Sequence, residues 1–434
     1  MVTRHFLAGL LLTASYLGAF GHAWAQETEA EPDLSEFPAL EEVVEEVVEG
    51  EKAEETLRTE TATNEDPDAV RRSERELQES APSKPPRKAF EWNLYGSLRL
   101  HAINNFDLEG NLTETSLGDG ASRLGITGDW LLPNEWQIFG RVESGFDILD
   151  TFTPKAQNDN GGIFTPRLYN VTLETPRVYA KLGKSWSTYY KVAGAADRFS
   201  IFGGDAAGVY NAGTDGGATG TGRANNALQT LVYIDFLQWG GLKPFNLNVQ
   251  YQQGEDVPQI EGLKYDTTWS FSAWFETERD WGIGLAYHTA NIDLGEFQQL
   301  PAFEDVAPSQ DALALAIKTY GDRWLAALVL THLDDIETTD KFTYFDGRGA
   351  ELFAQWQFRD KWWLIGGFNW LEPDSEEEQA GEYEVRYGVL GLRYTLDSFH
   401  RMAYAEWRID RGTLQDGTPL RNEFTIGFRW DFGY

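Results

Sequence analysis

Charged side chains on strand-like segments are the residues of this chain whose types and spacing could do chemistry. Arg99, Arg141 and Glu143 alternate with apolar neighbours, so each falls on the polar face of a segment with a period of two. Guanidinium and carboxylate groups fixed on facing walls set up a transverse field, which orients water and dipolar solutes and disfavours apolar ones. Such an arrangement filters solutes without making or breaking covalent bonds.

The sequence carries no recognisable catalytic or metal-binding motif. It has no cysteine, which rules out disulfides, thiolate metal sites and a cysteine nucleophile. After residue 90 the histidines are His101, His288, His332 and His400, and none belongs to a recognisable Ser-His or Asp-His motif. We therefore predict no enzyme activity, no metal and no cofactor. The net charge of −33 argues against nucleic-acid binding.

The last twelve residues show which kind of element carries these charges. Along residues 423–434 one face is purely aliphatic and aromatic, whereas the other carries Thr425, Arg429 and Asp431. An apolar stripe that runs to an aromatic carboxy-terminal residue is typical of a strand between lipid and water. The same alternation is found at residues 94–101, 245–252, 269–276, where Trp274 is predicted to point inward, and 351–358.

The connections between these segments alternate in length. Tight turns are predicted at residues 132–135, 239–241, 278–280, 321–323, 359–360 and 397–398, with long polar loops between them. About sixteen strands follow residue 91, so we predict an all-β fold, a closed transmembrane antiparallel barrel with short turns on the periplasmic side. Residues 324–330 and 385–394 are apolar on both faces, and alternation does not fix their orientation.

The first ninety residues differ in composition from the rest. Residues 1–25 read as a signal peptide, with Arg4 before an apolar run and Ala23-Trp24-Ala25 at the cleavage site. Residues 26–90 hold 20 Asp and Glu against 8 Lys and Arg, which favours a solvated, partly disordered periplasmic extension, with a short coiled coil or docking helix as the alternative. No later segment reaches the roughly 20 apolar residues of a membrane-spanning helix. The barrel is predicted to occupy residues 91–434.

One long connection, approximately Ser185 to Thr221, carries a more specific signal. The runs Gly183–Tyr190, Phe202-Gly203-Gly204-Asp205 and Gly220–Arg223 resemble the constriction loop of the trimeric Gram-negative general porins. Tyr95–Leu98, Ser122–Gly125 and the terminal strand extend this similarity over most of residues 91–434.

The resemblance implies that this third loop folds back into the barrel and presents carboxylates opposite a ladder of wall arginines. By motif, Asp197 and Asp205 would be the loop carboxylates, Arg123, Arg167 and Arg223 the wall arginines, and Glu143 a wall acid beside them. The chain departs from the family at Ile201, where many relatives have Glu, and at Ser97, which is often Lys. One charge of each sign is lost, which leaves the ion selectivity open.

The resemblance predicts a homotrimeric porin of the bacterial outer membrane, through which ions and small hydrophilic solutes diffuse passively. Expected partners are outer-membrane lipid and lipopolysaccharide, the barrel assembly machinery that reads carboxy-terminal aromatic strands and, through the acidic extension, peptidoglycan or a periplasmic protein. A substrate-specific channel and, less favoured, a barrel enzyme are the alternatives.

Overall fold

The computed structural model describes residues 89–149, 164–211, 214–234, 245–257, 262–277, 280–299, 303, 306–397 and 400–433. The predicted signal peptide and residues 26–88 of the predicted acidic extension lie outside this part of the chain. The turn predicted at 239–241 lies outside it too, as do residues 278–279 of the turn predicted at 278–280 and residue 398 of the turn predicted at 397–398. No helix within these residues is long and apolar enough to cross a membrane.

The described residues form a single antiparallel sheet of seventeen strands. In chain order these are β1 Phe90–Phe106, β2 Leu112–Asp119, β3 Arg123–Leu131, β4 Gln137–Phe146, β5 Phe164–Glu174, β6 Val178–Trp186, β7 Arg223–Ile234, β8 Phe245–Asp256, β9 Lys264–Glu276, β10 Trp281–Asp293, β11 Ser309–Gly321, β12 Trp324–Thr338, β13 Tyr344–Arg359, β14 Trp362–Pro373, β15 Val385–Thr395, β16 Arg401–Asp410 and β17 Glu423–Phe432.

The sheet closes because β1 pairs with the last strand, β17, along one edge. On its other edge β1 pairs first with β3 and then with β2, so β2 and β3 are two halves of one wall strand. The barrel therefore has sixteen wall positions, and the predicted fold class and strand number are confirmed.

The break between β2 and β3 lies at Gly120–Ser122. There the Asp119 carboxylate accepts the backbone N–H of Ser122 at 2.5 Å, and Ala121 has a positive φ of 64°. Gly120 N still donates to Arg99 O of β1 at 2.9 Å, but at Ser122 the side chain of Asp119 satisfies a backbone donor that a neighbouring strand would otherwise satisfy. Alternation did not reveal this interruption.

The two faces of the wall separate as the period of two predicts. On β17, Ile426, Phe428 and Trp430 are exposed on the outer face, whereas Thr425 and Asp431 are buried inside. Strand β8 repeats this pattern, with Leu247 outside and Asn248, Gln250 and Gln252 inside, and Trp274 of β9 is buried on the inner face. The outer surface is thus an apolar band suited to lipid.

Tight turns and long connections lie at opposite ends of the barrel, in line with the sequence. β11 and β12 are separated by Asp322 and Arg323 alone, and β13 and β14 by Asp360 and Lys361. At the other end residues 187–222, 294–308 and 411–422 form long connections. Exposed tryptophans lie on the outer surface near the tight-turn end, as in the aromatic girdle of membrane barrels: Trp92, Trp130, Trp281, Trp324, Trp356, Trp362 and Trp430.

Candidate functional site

The candidate site is the interior of the barrel, which the connection between β6 and β7 enters. This constriction loop spans residues 187–222, close to the predicted Ser185–Thr221. It leaves the wall where Ser187 N donates to Gly222 O at 2.8 Å, and it begins with one helical turn at Tyr190–Ala193. The loop starts against β8 to β12, reaches β16 at its tip, and returns over β15, β14 and β13.

One side of the constriction loop is apolar and packs against the wall. Tyr189, Val192, Phe199 and Val209 are at most 1% exposed and belong to one cluster with inward side chains of the strands. The wall contributes Ala312, Ala314 and Ala316 of β11, Val329 of β12, Phe353 of β13, Ile365 of β14 and Val389 of β15.

These contacts account for the segments whose orientation the sequence left open. In β12, Trp324 and Leu330 face outward, whereas Ala327 and Val329 are buried inside. In β15, Leu390 and Leu392 face outward, and Tyr387 and Val389 face inward. Both faces are apolar because one face meets lipid and the other meets the constriction loop.

Two buried wall carboxylates hold the backbone of the constriction loop. Glu406 of β16 accepts the N–H groups of Ser200 at 2.7 Å and Ile201 at 3.2 Å, and Glu351 of β13 accepts that of Ala206 at 2.8 Å. Arg393 of β15 lies 3.4 Å from the Glu406 carboxylate and balances its charge. The hydrogen bonds to Glu406, which is paired with Arg393, are charge-assisted and stronger than neutral ones, so they fix the position of the loop tip.

Asp205, one of the two predicted loop carboxylates, lies between these two anchors. Its side chain accepts a hydrogen bond from the Tyr387 hydroxyl at 2.6 Å, and the same hydroxyl accepts the backbone N–H of Gly203 at 3.0 Å. Arg408 lies over the Tyr387 ring, 4.0 Å from its centroid. Asp205 is therefore directed to β15.

The other predicted loop carboxylate, Asp197, is buried within the constriction loop itself. It accepts hydrogen bonds from the hydroxyl groups of Tyr190 at 3.1 Å and Tyr210 at 2.9 Å, and it is 1% exposed. Trp186 stacks on Tyr190 with ring centroids 4.1 Å apart. Burial raises the pKa of Asp197 to about 6, although the two hydrogen bonds favour its charged form.

A third loop carboxylate, Asp215, sits at the base of the constriction loop. It lies 2.8 Å from Lys184 Nζ and 3.6 Å from Arg223 Nε. Burial opposes its ionisation, but Arg223 and Lys184 hold the pKa of this carboxyl below its usual value. Arg223, a predicted wall arginine, is thus joined to the loop base and also lies over the Trp186 ring.

The remaining predicted site residues come together on the inner face of strands β1 to β5. Arg99 is 4% exposed, and its Nε donates to Ser97 Oγ at 2.8 Å. Arg167 Nε donates to Glu143 Oε1 at 3.1 Å, and the other oxygen of Glu143 accepts the Tyr95 hydroxyl at 2.9 Å. Arg123 is fully buried, and the guanidinium of Arg141 lies 5.7 Å from the Tyr95 ring centroid.

Several residues of this interior were missed by sequence reasoning. Arg429 of β17 lies opposite Arg99 in the strand register, and its Nη2 is 2.6 Å from Asp431. The alternation in β17 already directed Arg429 inward, so that signal was available. The alternation at residues 351–358 likewise places Glu351 on the polar face. The contacts that Glu351 and Glu406 make with the loop could not be predicted from one sequence.

The histidines do not form a catalytic arrangement in the part of the chain that the structure describes. Ser270 Oγ and His288 Nδ1 are 2.7 Å apart, but both residues are fully buried in the wall. Ser97 and His400 both contact the carboxylate of Asp431, which places the acid between them and leaves the imidazole unable to take the serine proton. The described part of the chain also contains no group of three or more His, Asp and Glu residues placed to hold a metal ion.

Comparison with known proteins supports the fold. No protein-family model and no curated protein sequence matches the chain. Among solved structures, OmpF of Salmonella typhi in complex with daunomycin is similar with a TM-score of 0.63 and 15% identity, covering 79% of this chain and 98% of that one. The outer membrane channel DcaP of Acinetobacter baumannii has a TM-score of 0.56 and 12% identity, covering 81% of this chain and 100% of that one. An anion-selective porin from Comamonas acidovorans has a TM-score of 0.55 and 17% identity, covering 79% of this chain and 100% of that one. At these identities the similarity establishes the porin-type barrel fold.

The buried anchor leads to a first prediction. Replacing Glu406 by Ala leaves the N–H groups of Ser200 and Ile201 without their acceptor, at roughly 1–3 kcal/mol for each buried donor. We expect the tip of the loop to detach, seen as faster proteolysis within residues 187–222 of the folded protein. The matched control is Glu372→Ala, which removes an exposed carboxylate from β14. Equal cleavage rates in the two variants would contradict the anchoring role.

Asp197 leads to a second prediction, concerning pH. Because its pKa rises from 3.8 in the unfolded chain to about 6, the folded protein keeps this proton over a range in which the unfolded chain loses it. The resulting stabilisation is complete below pH 3.8, the pKa in the unfolded chain, and is lost as the pH rises through 6. Over this range the free energy of unfolding falls by at most about 1.4 kcal/mol per pH unit. The difference in free energy of unfolding between the native protein and Asp197→Asn should therefore fall between pH 4 and pH 7 in urea titrations. A constant difference would contradict the raised pKa.

Proposed function

We propose that this chain is an outer-membrane porin, a water-filled channel through which ions and small hydrophilic solutes diffuse passively. The observation that carries the proposal is the constriction loop held inside a closed barrel of sixteen wall positions. The barrel has an apolar outer band and a charged inner face, and the loop narrows the interior without filling it as a folded domain would. These features suit diffusion across an outer membrane.

The proposed mechanism is physical filtering. The loop covers the inner face of β8 to β16, which leaves the inner face of β17 and β1 to β6 as the side along which we propose that solutes pass. Polar and charged groups on that side replace part of the hydration of a polar solute, whereas an apolar solute gains nothing there. We propose the constriction role for Arg99, Arg123, Arg141, Arg167 and Glu143 on this basis.

The geometry of the other predicted site residues supports different roles in the same channel. Arg223 and Asp205 hold the base and the tip of the constriction loop through Asp215 and Tyr387. Asp197 stabilises the fold of the loop through its two tyrosines. Asp197 is enclosed and acts on solutes through the shape of the loop, whereas Asp205 is exposed and its charge can act on solutes directly.

A homotrimer is part of the proposal. A solved structure of OmpT from Vibrio cholerae, 16% identical with a TM-score of 0.55, is described as a trimer form. We also propose contact with outer-membrane lipid and lipopolysaccharide through the outer band, and insertion by the barrel assembly machinery. The aromatic strand β17 suits recognition by that machinery.

Two measurements on the full chain test the channel function. In planar bilayers we expect step-like conductance increases in groups of three, and in liposome swelling we expect sugar influx that declines with sugar size without saturating. Saturable uptake of one sugar would favour a substrate-specific channel instead. A folded barrel that conducts no ions would overturn the proposal and return attention to a barrel enzyme.

For the acidic extension we propose contact with peptidoglycan or a periplasmic protein, on its composition alone. The full chain should then co-sediment with purified sacculi, and removal of residues 27–88 should abolish this association. Unchanged co-sedimentation after the deletion would remove the extension from any such contact.

A further inference from the structure

One stretch of the constriction loop lies directly on the backbone of the wall. Ala206 and Ala207 are at most 1% exposed. Ala206 N donates to Glu351 Oε1 at 2.8 Å, and Ala206 O accepts the Thr331 hydroxyl at 2.9 Å. Both backbone polar groups of Ala206 are therefore bonded to the wall, the first to β13 and the second to β12.

This close approach uses a wall position without a side chain, Gly349 of β13. Gly349 lies opposite Thr331 in the strand register and two residues before Glu351, so it faces the interior with them. A side chain carbon at Gly349 would overlap the carbonyl oxygen of Ala206 and lie 2.9 Å from its carbonyl carbon. The loop therefore occupies space that a side chain at this position would otherwise take.

The obstacle to a side chain at Gly349 is loop backbone, which no side-chain rotation can move aside. Thr331 holds Ala206 O, and the next carbonyl, Ala207 O, accepts the Tyr189 hydroxyl at 2.9 Å. Glycine inside a strand is unfavourable and often marks a place where another backbone comes close. Gly349 has no positive φ that would call for glycine. The approach of the loop therefore explains the glycine.

The height of the loop above the wall sets the width of the space that remains. An inward side chain on a strand points away from the sheet and into the barrel. A carbon added at Gly349 would push Ala206 in that direction, away from β13 and towards the inner face of β17 and β1 to β6. Asp205, the neighbour of Ala206, is exposed, so the displacement would carry an exposed side chain into the remaining space.

We propose that Gly349 is a positioning residue that sets the size limit of the channel. By allowing the constriction loop to lie on the wall backbone, it fixes the distance between the loop and β13 and therefore the largest solute that passes. This inference rests on the proposed channel function and assigns its size limit to a residue of the wall. Gly349 acts on solutes through the position of the loop and does not itself contact them.

The test is the variant Gly349→Ala in the full chain. To restore an ordinary van der Waals contact, the loop must move by more than about 1 Å. We expect the single-channel conductance in planar bilayers to fall by roughly a quarter or more. In liposome swelling, the influx of a disaccharide should fall more than that of a monosaccharide. The ratio of the two rates distinguishes a shifted loop from a smaller number of folded channels, which would lower both rates equally.

The matched control is Gly140→Ala on the outer face of β4, where an added carbon meets no atom within 4 Å. This variant makes the same substitution in a strand of the same wall, and its conductance and sugar ratio should equal those of the native protein. Gly349→Val needs more space on the same side of β13 than Gly349→Ala does, so it should lower the conductance and the relative disaccharide influx further.

Two results would overturn the inference and leave the channel function intact. In the first, Gly349→Ala has the conductance and sugar ratio of the Gly140→Ala control. In the second, its conductance is higher than that of the control, which would show that the loop leaves the wall altogether. A native protein that conducts no ions would overturn both the inference and the channel function.

Discussion

The packing of the constriction loop against the inner wall is the contact on which the rest of the interior depends. A barrel of sixteen wall positions encloses more space than its own side chains fill. Here the small inward residues of β11, including Ala314, leave room for the apolar side of the loop. Glu406 and Glu351 then satisfy backbone donors that the loop would otherwise bury without partners.

This contact divides the interior into two chemically different halves. The half from β8 to β16 is covered by the loop, and it combines an apolar cluster with the buried anchors Glu351 and Glu406. The half from β17 through β1 to β6 carries charged inward groups, and most of them are buried against one another, as with Arg167 and Glu143. The tip of the loop meets this half at Ile201, whose Cδ1 lies close to Gly120 and to the Cβ of Arg99.

Much of this fold followed from alternation, and the limits of alternation are physical. The lipid-facing stripe of β17 and the polar face of β8 are visible in the sequence because one side of each meets lipid and the other meets polar groups. The orientation of Val389 and Val329 could not be predicted because both faces of their strands are apolar. The interruption between β2 and β3 depends on the hydrogen bond from Ser122 N to the side chain of Asp119. A period of two does not predict such a contact.

The interior was harder to predict than the wall. The resemblance located the constriction loop to within two residues and directed attention to Arg123, Arg167 and Arg223, whereas alternation directed Arg99 inward. It did not predict that Asp197 would be enclosed by Tyr190 and Tyr210, since that depends on how the loop folds on itself. The contact between Ile201 and Glu406 joins residues 205 positions apart, and such separations are beyond motif reading in one sequence.

The absence of cysteine makes a direct test of this division possible, since single cysteines can be introduced without a background. The measurement is the effect of a charged, membrane-impermeant thiol reagent on the conductance of two variants, Arg141→Cys on the open half and Ala314→Cys beneath the loop. The structure predicts rapid modification and a conductance change in the first variant and no reaction in the second. Equal reaction at both positions would show that the loop does not lie on the β8 to β16 wall, and would contradict the account.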